Sequence, residues 1–125
     1  MAHSLISNKK NLAVTVHVSA SNSTLVIAGG TGTSNVAKGD EVLTGASITQ
    51  LFWGTDTGAI VVKRGANVVV TCTQSGHMDF AAAGMSLTKD MAANLVVELP
   101  SANAFVLLEM QKVGTLTANS EYFQN

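Results

Sequence analysis

Regular alternation of apolar and polar residues is the main pattern along the chain. Between residues 14 and 19, three valines alternate with a threonine, a histidine and a serine, and residues 47–53 alternate again. A period of two places one set of side chains on each face of a β-strand, whereas a helix would not bury this set. Residues 59–64 and 67–73 are rich in β-branched residues and are separated by Gly65-Ala66. These runs predict consecutive antiparallel strands joined by tight turns.

Turn residues recur in the second half of the chain at the spacing typical of all-β domains. Strand-like runs at residues 94–100 and 104–113 are separated by Ser101-Ala102-Asn103. Only residues 86–93 could form a helical turn, and the glycine-rich stretch 29–40 has no apolar period, which predicts a long loop. The pattern therefore predicts an all-β fold, namely an antiparallel β-sandwich of the jelly-roll type with about seven to nine short strands.

The length of 125 residues is that of one ordinary domain. We expect an N-terminal arm at residues 1–11, a β-sandwich domain at residues 12–114 and a C-terminal arm at residues 115–125. The C-terminal arm is mostly polar but carries two adjacent aromatics, Tyr122 and Phe123. In an oligomer such an arm can lay its aromatics on a neighbour, which makes both residues interface candidates. A frayed tail with incidental aromatics explains the same composition.

Charge is scarce and balanced in this chain. Seven Lys+Arg stand against eight Asp+Glu, a formal net charge of −1, and charged residues make up 12% of the sequence. Without a long-range field, nucleic acid and membrane surfaces are poor partners. The opening residues lack the order of a signal peptide, and no window approaches the ~20 apolar residues that span a bilayer. The single cysteine, Cys72, cannot form an intrachain disulfide, so we expect a chain folded in a cytosol.

Three fragments could carry chemistry, and each has a simpler structural interpretation. Residues 25–34 resemble the glycine turn of a dinucleotide-binding unit, but no helical pattern follows, which indicates a plain loop. His77 and Asp79 would share one face of a strand and could hold a metal or a proton, yet no further ligands occur at a metal-binding spacing. Cys72 lies in an apolar run and is interpreted as a buried small hydrophobe. The sequence thus predicts no catalytic residue, no metal, no cofactor and no enzyme activity.

The adjacent aromatics Phe52 and Trp53 are the most informative pair in the predicted strands. Neighbouring strand residues point to opposite faces, so one ring should join the core while the other faces outward or into an interface. Both residues are therefore candidate interface residues. An exposed Trp53 could instead stack on a sugar, as in carbohydrate-binding modules.

A resemblance to a known class adds to this picture. The stretch RGANVVVTCTQSGHMDFAAAGMSL at residues 64–87, followed by NLVVELPSANAFVLLEMQKVG at residues 94–114, resembles small structural proteins of tailed-bacteriophage virions. These include the capsid decoration or cement proteins. The likeness is one of pattern and size, and it covers about residues 12–114.

The resemblance implies a virion protein, assembled in the host cytoplasm, that binds and stabilises a capsid shell. Its partners would be the major capsid protein or other virion proteins, and further copies of itself, with a trimer favoured. Residues 2–11 and 116–125 would be the contact arms. The alternative function is a tail-associated or carbohydrate-binding β-sandwich module that uses Trp53.

Overall fold

The computed structural model describes residues 3–8, 13–27, 41–84 and 90–116. Within these ranges the secondary structure is almost entirely β, which confirms the all-β prediction, with one short 3₁₀ helix at Ala81–Ala83. The strands are β1 (His3–Asn8), β2 (Ala13–Ser19), β3 (Ser23–Leu25), β4 (Glu41–Arg64), β5 (Asn67–Asp79), β6 (Leu95–Glu98) and β7 (Phe105–Leu116).

All paired strands run antiparallel, and they form one seven-stranded sheet. The strand order is β1-β2-β7-β4-β6-β3, and β5 pairs with β4. The sheet is curled, so that its inner face encloses the core. The two-sheet jelly-roll arrangement stays a prediction.

Strand β4 organises the sheet because it pairs with three other strands. It pairs with β7 along residues 41–54, with β5 along residues 50–64 and with β6 along residues 61–64. Since β5 follows one side of β4, β7 and β6 share the other side. The sheet therefore branches along β4, with β7, β2 and β1 in one branch and β6 and β3 in the other.

The prediction of separate short strands at residues 47–53 and 59–64 was wrong. Both runs belong to β4, and the intervening residues 54–58 continue the strand with a local irregularity. The chain does not reverse at this segment, because β4 pairs with β5 both before and after it. Gly58 adopts φ +69°, and the carboxylate of Asp56 accepts hydrogen bonds from the turn before β7. The predicted hairpin at Gly65-Ala66 is confirmed, and Gly65 takes the left-handed conformation with φ +61°.

The core follows the alternation seen in the sequence. The three valines of β2 are fully buried, while the intervening Thr15, His17 and Ser19 are half-buried on the other face. Both branches of the sheet contribute to one apolar cluster, to which each fully buried Val, Leu or Ile adds about 1.5–3 kcal/mol of burial free energy. The members that are at most 1% exposed and larger than alanine are Val14, Val16, Val18, Leu25, Ile27, Ile48, Leu51, Ile60, Val62, Leu95, Val97, Val106, Leu108 and Met110.

Two predicted connections lie partly or wholly outside the described residues. The predicted loop at residues 29–40 lies wholly outside them. Of the possible helical turn at residues 86–93, only residues 90–93 are described, and they form a turn in which Ala93 donates a backbone hydrogen bond to Asp90.

Arg64 closes the curl of β4. Its side chain is only 1% exposed, and its guanidinium donates to three backbone carbonyls: Nη1 to Ala46 at 2.6 Å, Nη2 to Met91 at 2.5 Å, and Nε and Nη2 to Ala93 at 3.3 and 3.1 Å. In a straight strand, residues 46 and 64 would lie roughly 60 Å apart at ~3.3 Å per residue. The hydrogen bond between them therefore requires the strand to curl back on itself.

Burial removes water from the Arg64 guanidinium, and the hydrogen bonds to three carbonyls offset the cost of that desolvation. Loss of solvent lowers the pKa of the Arg64 guanidinium, and the charge of Asp90 acts in the opposite direction. A planar fork with five N–H donors can serve several carbonyls at once, which a lysine ammonium cannot do in the same plane. Arg64 thus replaces its hydration shell with the backbone of β4 and of the segment before β6.

We expect Arg64→Met to lower the free energy of unfolding by about 3 kcal/mol, because the buried carbonyl of Ala46 and the carbonyl of Ala93 lose the guanidinium as donor. The matched control is Lys63→Met, which removes the surface ion pair between Lys63 Nζ and Glu98 Oε2 at 3.0 Å. That change should cost less than about 1 kcal/mol. Urea unfolding followed by far-ultraviolet circular dichroism measures both. Equal losses in the two variants would contradict the role given to Arg64.

Candidate functional site

Four side chains on the outer face line up across the middle of the sheet. The register pairs His17 with Leu107, Leu107 with Phe52, and Phe52 with His77, so that β2, β7, β4 and β5 each contribute one residue. We call these four residues the outer-face row. Phe52 is 37% exposed, His77 is exposed, and the other two are half-buried. The row is therefore a water-accessible strip with two apolar side chains at its centre and an imidazole at each end.

Aromatic side chains of this surface contact one another. The rings of Phe52 and His77 stack with centroids 4.1 Å apart and planes 14° apart. Next to the row, Phe105 is 39% exposed and its ring centroid lies 6.4 Å from that of His17. A Cβ at Gly54 would lie 2.5 Å from a ring carbon of Phe105, so the glycine lets this ring lie close to β4. Together these side chains cover four adjacent strands.

A polar row borders the apolar one. Thr15 and Gln50 both pair with Glu109, one from each neighbouring strand. These residues line a shallow depression of about 210 Å³ that also includes Phe52 and Leu107. The Glu109 carboxylate accepts a hydrogen bond from Thr49 Oγ1 at 3.0 Å, which fixes its position. An apolar centre with a polar rim is the arrangement found in protein–protein interfaces.

The two predicted aromatics point in opposite directions, as the strand alternation predicts. Trp53 is half-buried and packs against the core, and its Nε1 donates to the carbonyl of Thr73 at 3.0 Å. Its indole lies directly over Gly76, where a Cβ would come within 2.5 Å of the ring. Phe52, in contrast, lies in the outer-face row. Tyr122 and Phe123, the other interface candidates, lie outside the described residues.

The residues considered for metal or nucleophilic chemistry have separate surroundings. Asp79 Oδ1 accepts a hydrogen bond from the backbone N–H of Ala82 at 2.9 Å, at the start of the 3₁₀ helix. His77 stacks on Phe52, and Cys72 is buried opposite Ile60. Among the residues that the structure describes, no three His, Cys, Asp or Glu side chains are grouped so that they could hold a metal ion.

Leu107, Phe105 and His17 are surface residues that the sequence reasoning missed. Their strands were predicted, but membership of a common surface depends on which residues face one another across strands. The alternation of Phe105 and Leu107 with buried Val106 was the available signal. It shows that the two share a face, but it does not place that face beside Phe52.

A polar cluster joins the irregular stretch of β4, residues 54–58, to the turn before β7. The carboxylate of Asp56 accepts from Ser101 Oγ at 3.1 Å and from Asn103 Nδ2 at 3.0 Å. The hydrogen bond from Asn103 and then that from Ser101 lower the pKa of Asp56. All three side chains are accessible to water, so the cluster is not a buried site. Its hydrogen bonds join residues 54–58 of β4 to the turn before β7.

Comparison with known proteins places no further constraint on the site. The chain matches no protein-family model, no curated protein and no solved structure. Within the described ranges, no helix has the length and apolarity needed to cross a membrane.

We expect the stabilising effect of Asp56 to depend on pH. A carboxyl whose pKa is lower in the folded state than its ordinary value of 3.8 stabilises the fold above that value, and the effect is lost as the pH falls through the folded pKa. Asp56→Asn should therefore lower Tm at neutral pH, and the difference from the parent should vanish in acid. Thermal unfolding over a pH series measures this difference. A Tm difference that stays constant with pH would contradict the hydrogen-bonded cluster.

We also expect Cys72 to be chemically inert in the folded protein. Burial raises the pKa of its thiol to about 11, and the side chain is 2% exposed, so the reactive thiolate is scarce near neutral pH and hard to reach. Iodoacetamide should label Cys72 only after unfolding in urea, as read by mass spectrometry. Labelling of the native chain at the rate of a cysteine peptide would show that Cys72 is not buried in the core cluster.

Proposed function

We propose that this chain is a non-enzymatic virion structural protein that binds and stabilises a tailed-phage capsid shell as a decoration or cement protein. The outer-face row is the observation that carries the proposal. It presents an exposed phenylalanine beside a half-buried leucine on the outer face of a sheet whose other face already holds the core. The resemblance of residues 64–87 and 94–114 to virion structural proteins supports the same function.

The row has the properties of a protein-binding surface. Paired strands hold the backbone of each residue in the row, so little backbone entropy is lost when a partner covers it. Aromatic residues at the centre of a contact commonly contribute most of the binding energy, and polar residues such as Gln50 and Glu109 at the rim exclude water around them. The low charge of the chain also permits many copies to lie side by side without strong repulsion.

A shell offers many equivalent binding positions, so each contact can be modest. Linked contacts on a symmetric array add avidity without any single strong site. We propose that the partners are the major capsid protein or other virion proteins, and further copies of this chain in a closed oligomer, with a trimer favoured. Localisation in the virion, after assembly in the host cytoplasm, follows from this function.

The sheet has two branches, β7-β2-β1 and β6-β3. We propose that these branches are the layers of a jelly-roll-like sandwich that share β4. The common core cluster of both branches supports this arrangement. In this view the long β4 strand passes from one layer to the other, and the irregularity at residues 54–59 is where it bends.

The test is co-sedimentation with empty shells assembled from the major capsid protein of the phage that encodes the chain. The full chain should bind saturably, and Phe52→Ser should raise the Kd about 30-fold, the effect of losing one central aromatic worth ~2 kcal/mol. Phe52 lies outside the core, so the variant should keep its far-ultraviolet spectrum.

The matched control is Val68→Ser, which removes another exposed apolar side chain, 48% exposed, near the hairpin end of β5. Its Kd should stay within about twofold of the parent. Absence of shell binding by the full chain, or binding to glycans that Trp53→Ala abolishes, would contradict the proposal and favour the carbohydrate-binding alternative.

A further inference from the structure

We propose that Met91 is a redox-sensitive anchor of the curl: oxidation of its thioether to the sulfoxide loosens the contact between the two ends of β4, and reduction restores it. This switch requires no partner on the outer face, so it stands apart from the proposed function. It makes the stability of the curl depend on the oxidants that reach the chain.

Residues 90–94, which we call the clasp, join the start of β4 to its end. The carbonyl of Met91 accepts hydrogen bonds from the backbone N–H of Ala46 at 2.9 Å and from Nη2 of Arg64 at 2.5 Å. The carbonyl of Asn94 accepts a hydrogen bond from the backbone N–H of Gly65 at 2.7 Å. Through one carbonyl, Met91 therefore contacts both the beginning and the end of the strand.

The side chain of Met91 is the apolar anchor of the clasp. Met91 is the one large apolar residue among residues 90–94, and all of these residues are half-buried or exposed. Its Cγ and Cε lie 3.0 and 3.1 Å from the position that a Cβ on Gly45 would occupy, so the glycine leaves space for the thioether. Apolar area removed from water stabilises such a contact. The packing of Met91 on β4 therefore supports the hydrogen bonds that its own carbonyl accepts.

Small oxidants can reach Met91 while it packs on Gly45. Its side chain is half-buried, whereas Met110 is 0% exposed in the core cluster and Met78, on β5, is 42% exposed. The susceptibility of a methionine to oxidation follows its exposure. We therefore expect Met78 to be oxidised first, Met91 next and Met110 only after unfolding. Of these three, only Met91 belongs to the clasp.

Hydrogen peroxide is the oxidant of this step. The thioether sulfur attacks one peroxide oxygen and the O–O bond breaks; that oxygen stays on the sulfur, the other leaves as water, and the sulfur is oxidised by two electrons. The sulfoxide is polar and disrupts apolar packing, so water solvates it better than the surface at Gly45 does. The Met91 carbonyl then loses its fixed position beside Ala46 and Arg64. A methionine sulfoxide reductase reverses the step, because a dithiol is oxidised to a disulfide while the sulfoxide oxygen leaves as water.

Hydrogen exchange read by mass spectrometry tests the switch on the full chain. The folded chain is treated with hydrogen peroxide, and peptide mapping gives the sulfoxide fraction at each methionine. After oxidation of Met91, the amides of Ala46 and Gly65 should exchange about tenfold faster, the factor expected when roughly half of one methionine's burial free energy is lost. Treatment with methionine sulfoxide reductase and dithiothreitol should restore the original rate. Unchanged exchange after complete oxidation of Met91 would overturn the proposal, and so would a Met91 that resists peroxide as Met110 does.

Matched variants assign the effect to one methionine. Met91→Leu keeps an apolar side chain of similar volume and every other methionine of the chain, so peroxide should leave the exchange of Ala46 and Gly65 unchanged in this variant. Met78→Leu is the control, and it should show the same acceleration after peroxide as the parent chain. Faster exchange in oxidised Met91→Leu, or none in oxidised Met78→Leu, would trace the effect to another methionine and overturn the proposal.

A polar substitution tests the same contact without an oxidant. Met91→Gln has a side chain of similar length that water solvates well, so the amides of Ala46 and Gly65 should exchange faster in its untreated form than in untreated Met91→Leu. Equal exchange in the two variants would show that the apolar contact with Gly45 does not hold the clasp. The comparison of parent, Met78→Leu and reductase-treated chains needs no change at Met91, so it decides the matter even if a Met91 variant does not fold.

Discussion

The buried guanidinium of Arg64 is the constraint on which the rest of the structure depends. It joins the carbonyl of Ala46, near the start of β4, to the end of the same strand, and it holds the segment before β6 in place. A strand of 24 residues could otherwise extend without curling back on itself. Because three carbonyls surround the cation, the curl is coupled to a charge that would be costly to leave unsatisfied. The interaction thus couples the two branches of the sheet.

This curl determines which residues remain available for binding. Once both branches enclose a common core, alternate residues on β2, β4 and β7 must lie on the outer face. The register brings Phe52 and Leu107 side by side there, with His17 and His77 beyond them. The outer-face row is therefore a consequence of strand pairing, and the proposed function makes use of it.

Local sequence patterns predicted part of this structure. Strand β2 and the Gly65-Ala66 turn could be predicted because the residues that indicate them lie within a few positions of one another. The continuity of β4 through residues 54–58 could not be predicted, because its glycines usually indicate a reversal. The residues that contact Asp56 are also over 40 positions away. The burial of Arg64 was also hidden, because arginine is normally exposed and its carbonyl partners lie 18 to 29 positions away in the sequence. The outer-face row depends on long-range register, which a single sequence does not encode in any local motif.

Electron cryo-microscopy of shells saturated with the full chain tests the central claim most directly. We expect ordered density for the curled sheet at equivalent symmetry positions on the shell, with Phe52 and Leu107 covered by a neighbouring protein segment. Ordered density in which this surface faces solvent, or shells that carry no density beyond the capsid protein, would contradict it.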